Sequence, residues 1–182
     1  MEKELSVAIK ESTTAQHQQL EKIVVTHLKQ IQSNSDYVQV LRNFCVFFKA
    51  VEAACEPYLL QDGRIDARAR RDSAFIARDI AELGGNLDNL PAVQVPQIEN
   101  FAQAMGALYV LEGSVLGGPY IVQMLAKLGL VNGVSFFTGY GADTQVKWSS
   151  FLAVLNSITE PTAQAQVVDA AKATFANFKN VF

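Results

Sequence analysis

Residues 106–125 read GALYVLEGSVLGGPYIVQML. The apolar spacing is that of a helix, yet Gly106, Gly113, Gly117 and Gly118 all fall inside it. Each glycine in a helix interior costs roughly 1 kcal/mol relative to alanine. Helix stability alone does not account for such a stretch. Gly113 and Gly117 are four apart and share one face, where the missing Cβ lets another body approach the backbone. Close helix packing is one use of that spacing. A large planar ligand lying on bared backbone is another. Pro119 adds a break, because it has no N–H to offer the carbonyl of Val115. The spacing predicts a helix that starts near residue 96 or 97, runs to about 127, and bends or splits around the glycines.

Outward from this stretch the pattern is helical nearly throughout. A first helix is expected from about residue 3 to 29, with Leu5, Ile9, Leu20, Ile23 and Val24 near one face. Asn34, Ser35 and Asp36 are cap candidates for a second, which carries Tyr37, Val40, Leu41, Phe44, Phe47, Phe48 and Val51. A third is expected over 66–83, closed by Gly84 and Gly85. Residues 131–144 read as a loop rich in glycine and aromatics. Two last helices follow, over 143–158 and 161–181, with Pro161 in the first turn of the latter. The expected fold class is all-α: one compact helical bundle, a single domain over 1–182.

The totals narrow the function. A chain of 182 residues, 49% hydrophobic and 18% charged, is expected to bury a substantial core. A net charge of -3 argues against non-specific nucleic-acid binding. No uninterrupted apolar run approaches the ~18 residues of a membrane span, and the N-terminus lacks a signal-peptide core. No membrane or nucleic-acid partner and a cytoplasmic location are the expectations. Cys45 and Cys55 fall on one helix, about 15 Å apart, too far for a disulfide, and read as buried, inert thiols.

The two histidines are His17 and His27. Lys10 precedes His17 by seven residues, about 20° short of two turns, so both share a face about 10 Å apart. Glu21 follows His17 by one turn, within touching distance. A carboxylate beside an imidazole is the usual support of a metal-ligating histidine. A lysine two turns away suits an anionic group of a flat ligand. A lone helical histidine is more often a plain surface residue, and His27 keeps that reading. The paired Glu-x-x-His of a di-iron site is absent, as are zinc spacings and a phosphate loop. Arg64, Arg68, Arg70 and Arg71 read as a solvated helix face, with docking of an acidic protein as the functional alternative.

Three motifs now carry a resemblance. Tyr109-Val-Leu-Glu-Gly-Ser-Val-Leu-Gly-Gly118 is similar to the distal-helix signature of bacterial haem oxygenases. Lys10-Glu-x-Thr-x-x-x-His17-x-x-x-Glu21 resembles their proximal helix. Phe136-Phe-x-Gly-Tyr-Gly, followed by Trp148 and Phe151, resembles a later segment of the bacteriophytochrome-associated branch. The motifs keep the family's order and spacing, from residue 7 to about 155.

The resemblance implies a bundle that clamps haem between the first helix and a kinked, glycine-containing distal helix. His17 would be the proximal iron ligand, oriented by Glu21 directly or through water. Gly113, Gly117 and Gly118 would bring the distal backbone to the haem, with Ser114 in the catalytic stretch. Lys10 would face a propionate, and Tyr109 is a second candidate for that role. Haem would be cofactor and substrate: dioxygen and external electrons, from a ferredoxin, a flavodoxin or a reductase, would open it at a meso carbon to biliverdin, ferrous iron and carbon monoxide. A haem-binding or haem-trafficking protein without cleavage activity is the alternative. Mammalian members carry an aspartate where this chain has Ser114, so the anchor of the distal water must lie elsewhere. Pro119, Gln145 and Val146 also depart from the pattern, and Pro119 is expected to affect the distal kink and the meso carbon attacked.

Overall fold

The computed structural model describes residues 4–182. Seven α-helices and two short 3-10 turns make up the regular structure, with no strand among the described residues: α1 (Leu5–Lys29), α2 (Asn34–Asp62), a 3-10 turn (Ala67–Ala69), α3 (Ser73–Glu82), α4 (Phe101–Lys127), α5 (Ser135–Thr138), a second 3-10 turn (Gly141–Asp143), α6 (Thr144–Asn156) and α7 (Pro161–Lys179). The all-α expectation is met. Residue 3, the expected start of the first helix, lies outside the described residues.

The caps explain where several helices start. Ser33 precedes α2 in extended backbone and its hydroxyl accepts from the Asp36 N–H, so the cap is Ser33 rather than residues 34–36. Asn100 caps α4 by accepting from the Gln103 N–H, which puts its start at Phe101, later than the apolar pattern indicated. The expected third helix is divided. Asp66 starts the 3-10 turn, Arg70 and Arg71 leave it, and Asp72 caps α3. Neither proline ends its helix: α2 runs through Pro57 and α4 runs unsplit through Pro119. The lost hydrogen bond is offset by packing, since α4 is buried at Ala104, Met105, Ala107, Leu111, Val115 and Leu125.

α7 makes its most extensive contacts with α4 and α1. An aromatic cluster closes the core: Phe47 stacks on Phe178 at 4.5 Å, and Phe44 meets Phe136, Phe137 and Phe178 edge-on. By length and composition alone α4 would be long and apolar enough to cross a membrane, although no uninterrupted apolar run reaches that length; 50% of its apolar window is buried inside the bundle.

The glycines of α4 divide into two pairs. A Cβ on Gly106 would run into the carbonyl of Val167, and one on Gly118 into the carbonyl of Phe137. These two permit close packing of α7 and α5. A Cβ on Gly113 would make only ordinary contact with Trp148, at 3.6 Å, and one on Gly117 would meet nothing within 4 Å.

Candidate functional site

α1 and α7 run in the same direction. Leu5 and Ala8 share a shallow surface groove with Pro161, Gln164 and Val168; His17 meets Phe175 edge-on at 5.7 Å; His27 meets Phe182 at 5.5 Å. α4 runs with them. Gly106 lies against Val167 and Ala170. Gly118 lies against Phe137, which joins Phe44, Phe178 and Phe182 at the far end of α7. Seven residues onward from Gly106 is Gly113, and seven from Val168 is Phe175, each about 10 Å further along. His17, beside Phe175, therefore stands level with Gly113.

The face around His17 is open. His17, Lys10 and Glu21 are all exposed. No direct hydrogen bond joins Glu21 to His17 among the described residues, so any support of the imidazole by Glu21 runs through water. On α4, Gly117 is exposed and Gly113 half-buried. Trp148 of α6 leans over Gly113, packs on Tyr109 at 5.5 Å and stacks on Phe151 at 5.6 Å. Burial raises the pKa of Tyr109 above the usual phenol value. Gly118 is not on this open side, because its Cα faces Phe137.

These residues fit a large flat ligand. An exposed imidazole stands level with bared backbone, and the space where a Gly117 side chain would stand is empty. Pro119 lies elsewhere. It lines a groove of ≈ 650 Å³ with Val115, Leu116, Val122 and Thr138. From Gly117, Pro119 is about 200° round the helix. It therefore lies on the opposite face of α4 from Gly117.

Behind α4 lies a buried polar network that the sequence reading missed. Arg71, 4% exposed, donates to the carbonyls of Leu111 (3.0 Å) and Phe136 (2.9 Å) and to Ser114 Oγ (2.6 Å). The Ser114 hydroxyl donates to the Leu111 carbonyl at 2.6 Å. Glu112, 2% exposed, pairs with Arg70 and accepts from the Tyr140 hydroxyl at 3.0 Å. The Arg71 N–H donates to that same hydroxyl at 2.9 Å. Burial pulls the Arg71 pKa down to about 10, against the opposing pull of Glu112, so it stays a cation near neutral pH. Burial, then Glu112, raises the Tyr140 pKa.

The arginines are therefore not one solvated face. Arg64 bonds Asp62 and the Ser157 hydroxyl and lies 4.4 Å above the Phe101 ring, Arg70 and Arg71 enter the interior, and Arg68 is exposed. Glu112 was the available signal. An acid within the apolar run LYVLEGSVL needs a cation if it is buried. The interruption between the 3-10 turn and α3, at Arg70 and Arg71, left no such trace.

Comparison with known proteins agrees with this architecture. The Heme oxygenase family model matches residues 3–182. A protein named heme oxygenase from Xanthomonas campestris pv. campestris (strain 8004) is 32% identical over 145 residues, covering 78% of this chain and 86% of that protein. The crystal structure of the NO- and CO-bound heme oxygenase from Neisseria meningitidis superposes with a TM-score of 0.80 at 24% identity, covering 98% of this chain and 89% of that one. This last likeness speaks for the fold.

Proposed function

Because the chain belongs to the haem oxygenase family, we propose that it binds haem between α1 and α4 and cleaves it oxidatively to biliverdin, ferrous iron and carbon monoxide. The observation that carries the reading is the placement of His17, exposed and level with Gly113 on α4, with empty space over Gly117 one turn further.

Haem, when bound, supplies both the iron that activates dioxygen and the ring that is oxidised. The chain's own residues do the rest. His17 would hold the iron through a ring nitrogen, with Glu21 orienting the ring through water. Lys10, two turns away on the same face, offers an ammonium to a propionate. Tyr109, half-buried beside Trp148, is a second candidate for a propionate contact. Gly113 and Gly117, which carry no side chain, would let haem approach the distal backbone. Trp148 and Phe151 close the α6 side against water. Electrons come from a ferredoxin, a flavodoxin or a reductase. The protein works as one domain in the cytoplasm. The likeness of Phe136-Phe-x-Gly-Tyr-Gly to the bacteriophytochrome-associated branch supports a role in chromophore supply.

The test is spectroscopic. Purified protein mixed with hemin is expected to develop a Soret band. Reduced ferredoxin or ascorbate in air is then expected to bleach it, with growth of the broad red band of biliverdin. A Soret band that persists under electron supply identifies a haem carrier. No Soret band ends the haem reading.

A further inference from the structure

Resting on the haem oxygenase reading, we propose that Arg71 is the positioning residue of the dioxygen-binding face, acting through Ser114. The distal stretch Leu111–Ser114 is fixed from behind by one guanidinium. Its Nη2 donates both to the Leu111 carbonyl and to Ser114 Oγ, and its Nη1 ties the same group to the Phe136 carbonyl on α5. The Ser114 hydroxyl spends its only proton on the Leu111 carbonyl. Ser114 is thus an acceptor from Arg71 and a donor to its own helix, and is not a free acid toward a ligand. A side chain that acts on the haem face only through Ser114 has no reason to touch the haem.

The charges point the same way. Arg70, Arg71 and Glu112 lie together with the Tyr140 hydroxyl, and Glu52 is near enough to act on both arginines. The direct salt bridge of this cluster is Arg70–Glu112, while the Arg71 guanidinium bonds neutral oxygens and feels Glu112 and Glu52 only at longer range. A buried cation held in this way directly behind the distal backbone is costly. It also places a fixed positive field at the helix segment where negative charge develops on dioxygen during reduction. Arg71 Nε is the one buried side-chain polar atom without a hydrogen-bond partner among the described residues, so that N–H calls for an ordered water. A cation, a locked serine and a water-seeking N–H together stand where mammalian members of the family carry a single aspartate.

The test uses wild type, Arg71→Met, Arg71→Lys, Ser114→Ala and the double variant Arg71→Met/Ser114→Ala. Each is titrated with hemin at the Soret band, turned over with reduced ferredoxin in air, and its biliverdin meso isomers are separated. Arg71→Met and Ser114→Ala are each expected to bind hemin within about threefold of wild type, to lose about tenfold in kcat, and to change the isomer ratio. The double variant is expected to be no worse than Arg71→Met, since the two residues act in series. Arg71→Lys, which returns the charge with fewer aligned donors, is expected to recover part of the loss. Thermal melts of the apo-proteins separate loss of fold from loss of function. Folded variants with wild-type kcat and isomer ratio overturn the proposal, and so do losses that multiply in the double variant. If Arg71→Met does not fold, Ser114→Ala and Arg71→Lys decide alone, and an unchanged isomer ratio in both overturns it. A wild-type protein that binds no hemin overturns the haem reading and this proposal together. Wild-type turnover with indifferent variants removes only the role of Arg71.

Discussion

Gly118 meets the backbone carbonyl of Phe137 so closely that a methyl group cannot stand between them, while one turn back the equivalent space at Ser114 is filled by a hydroxyl bound to Arg71. α4 is therefore held by tight backbone contact at some glycines and by a buried charge network between them. Gly118→Ala is expected to destabilise the protein by about 3 kcal/mol, because a carbonyl in the helical backbone of α5 cannot swing aside as a side chain can. Gly106→Ala, against the Val167 carbonyl, is expected to cost a similar amount. Urea melts of the apo-protein measure both, and an unchanged midpoint for either contradicts this account of the packing.

Gly117 is expected to behave in the opposite way. Nothing stands within 4 Å of its missing Cβ, so Gly117→Ala should stabilise the apo-protein by about 0.5–1 kcal/mol through helix propensity. Gly117→Leu should leave the apo-protein folded yet weaken hemin binding at least about tenfold by filling the distal space. If Gly117→Leu binds hemin as wild type does, the ligand does not lie on this face.

His17→Ala is expected to remain folded, since His17 is exposed and its one ring contact is the edge of Phe175. Its hemin complex should lose the ferric spectrum of wild type and its turnover. Added imidazole should restore the spectrum in part. Normal turnover by this variant would remove His17 as the iron ligand.

Glu112→Gln removes the salt-bridge partner of Arg70 and leaves Arg70 and Arg71 with Glu52 as the remaining carboxylate that acts on both. Breaking a buried pair from one side costs about 3 kcal/mol, and the variant should show that loss in urea. Replacing Arg70 and Glu112 together by Met and Leu should recover most of it, because both charges then stay out of the core. A Glu112→Gln protein as stable as wild type would mean the network carries no stability.

Glu52 supplies a pH dependence with a definite sign. It is half-buried, and although the Ser73 N–H and hydroxyl both donate to it, desolvation raises its pKa above the carboxylate value of 4.5. The folded state therefore holds the Glu52 proton at pH values where the unfolded chain has released it. Its contribution favours folding below pH 4.5 and declines as pH rises through the folded value. Glu52→Gln keeps an acceptor for Ser73 without the titration. Its stability relative to wild type should rise with pH across that window, in melts run from pH 4 to 8, and a constant difference would contradict the assignment.

The sequence by itself determined the fold class of this protein and the residues proposed for its ligand face. Helical periodicity follows from side chains at three- and four-residue spacing, which are local. His17, Lys10 and Glu21 share a face through helical geometry alone, and so do Gly113 and Gly117. Only the tertiary structure decided what each glycine is for. Gly106 and Gly118 differ from Gly113 and Gly117 not in sequence context but in what lies opposite: the backbone of Val167 and of Phe137, against the Trp148 ring and open space. Tertiary structure alone also brought Arg71 to Ser114, 43 positions apart. A buried charge is chosen by the partners that the whole fold brings to it, and local spacing does not encode them.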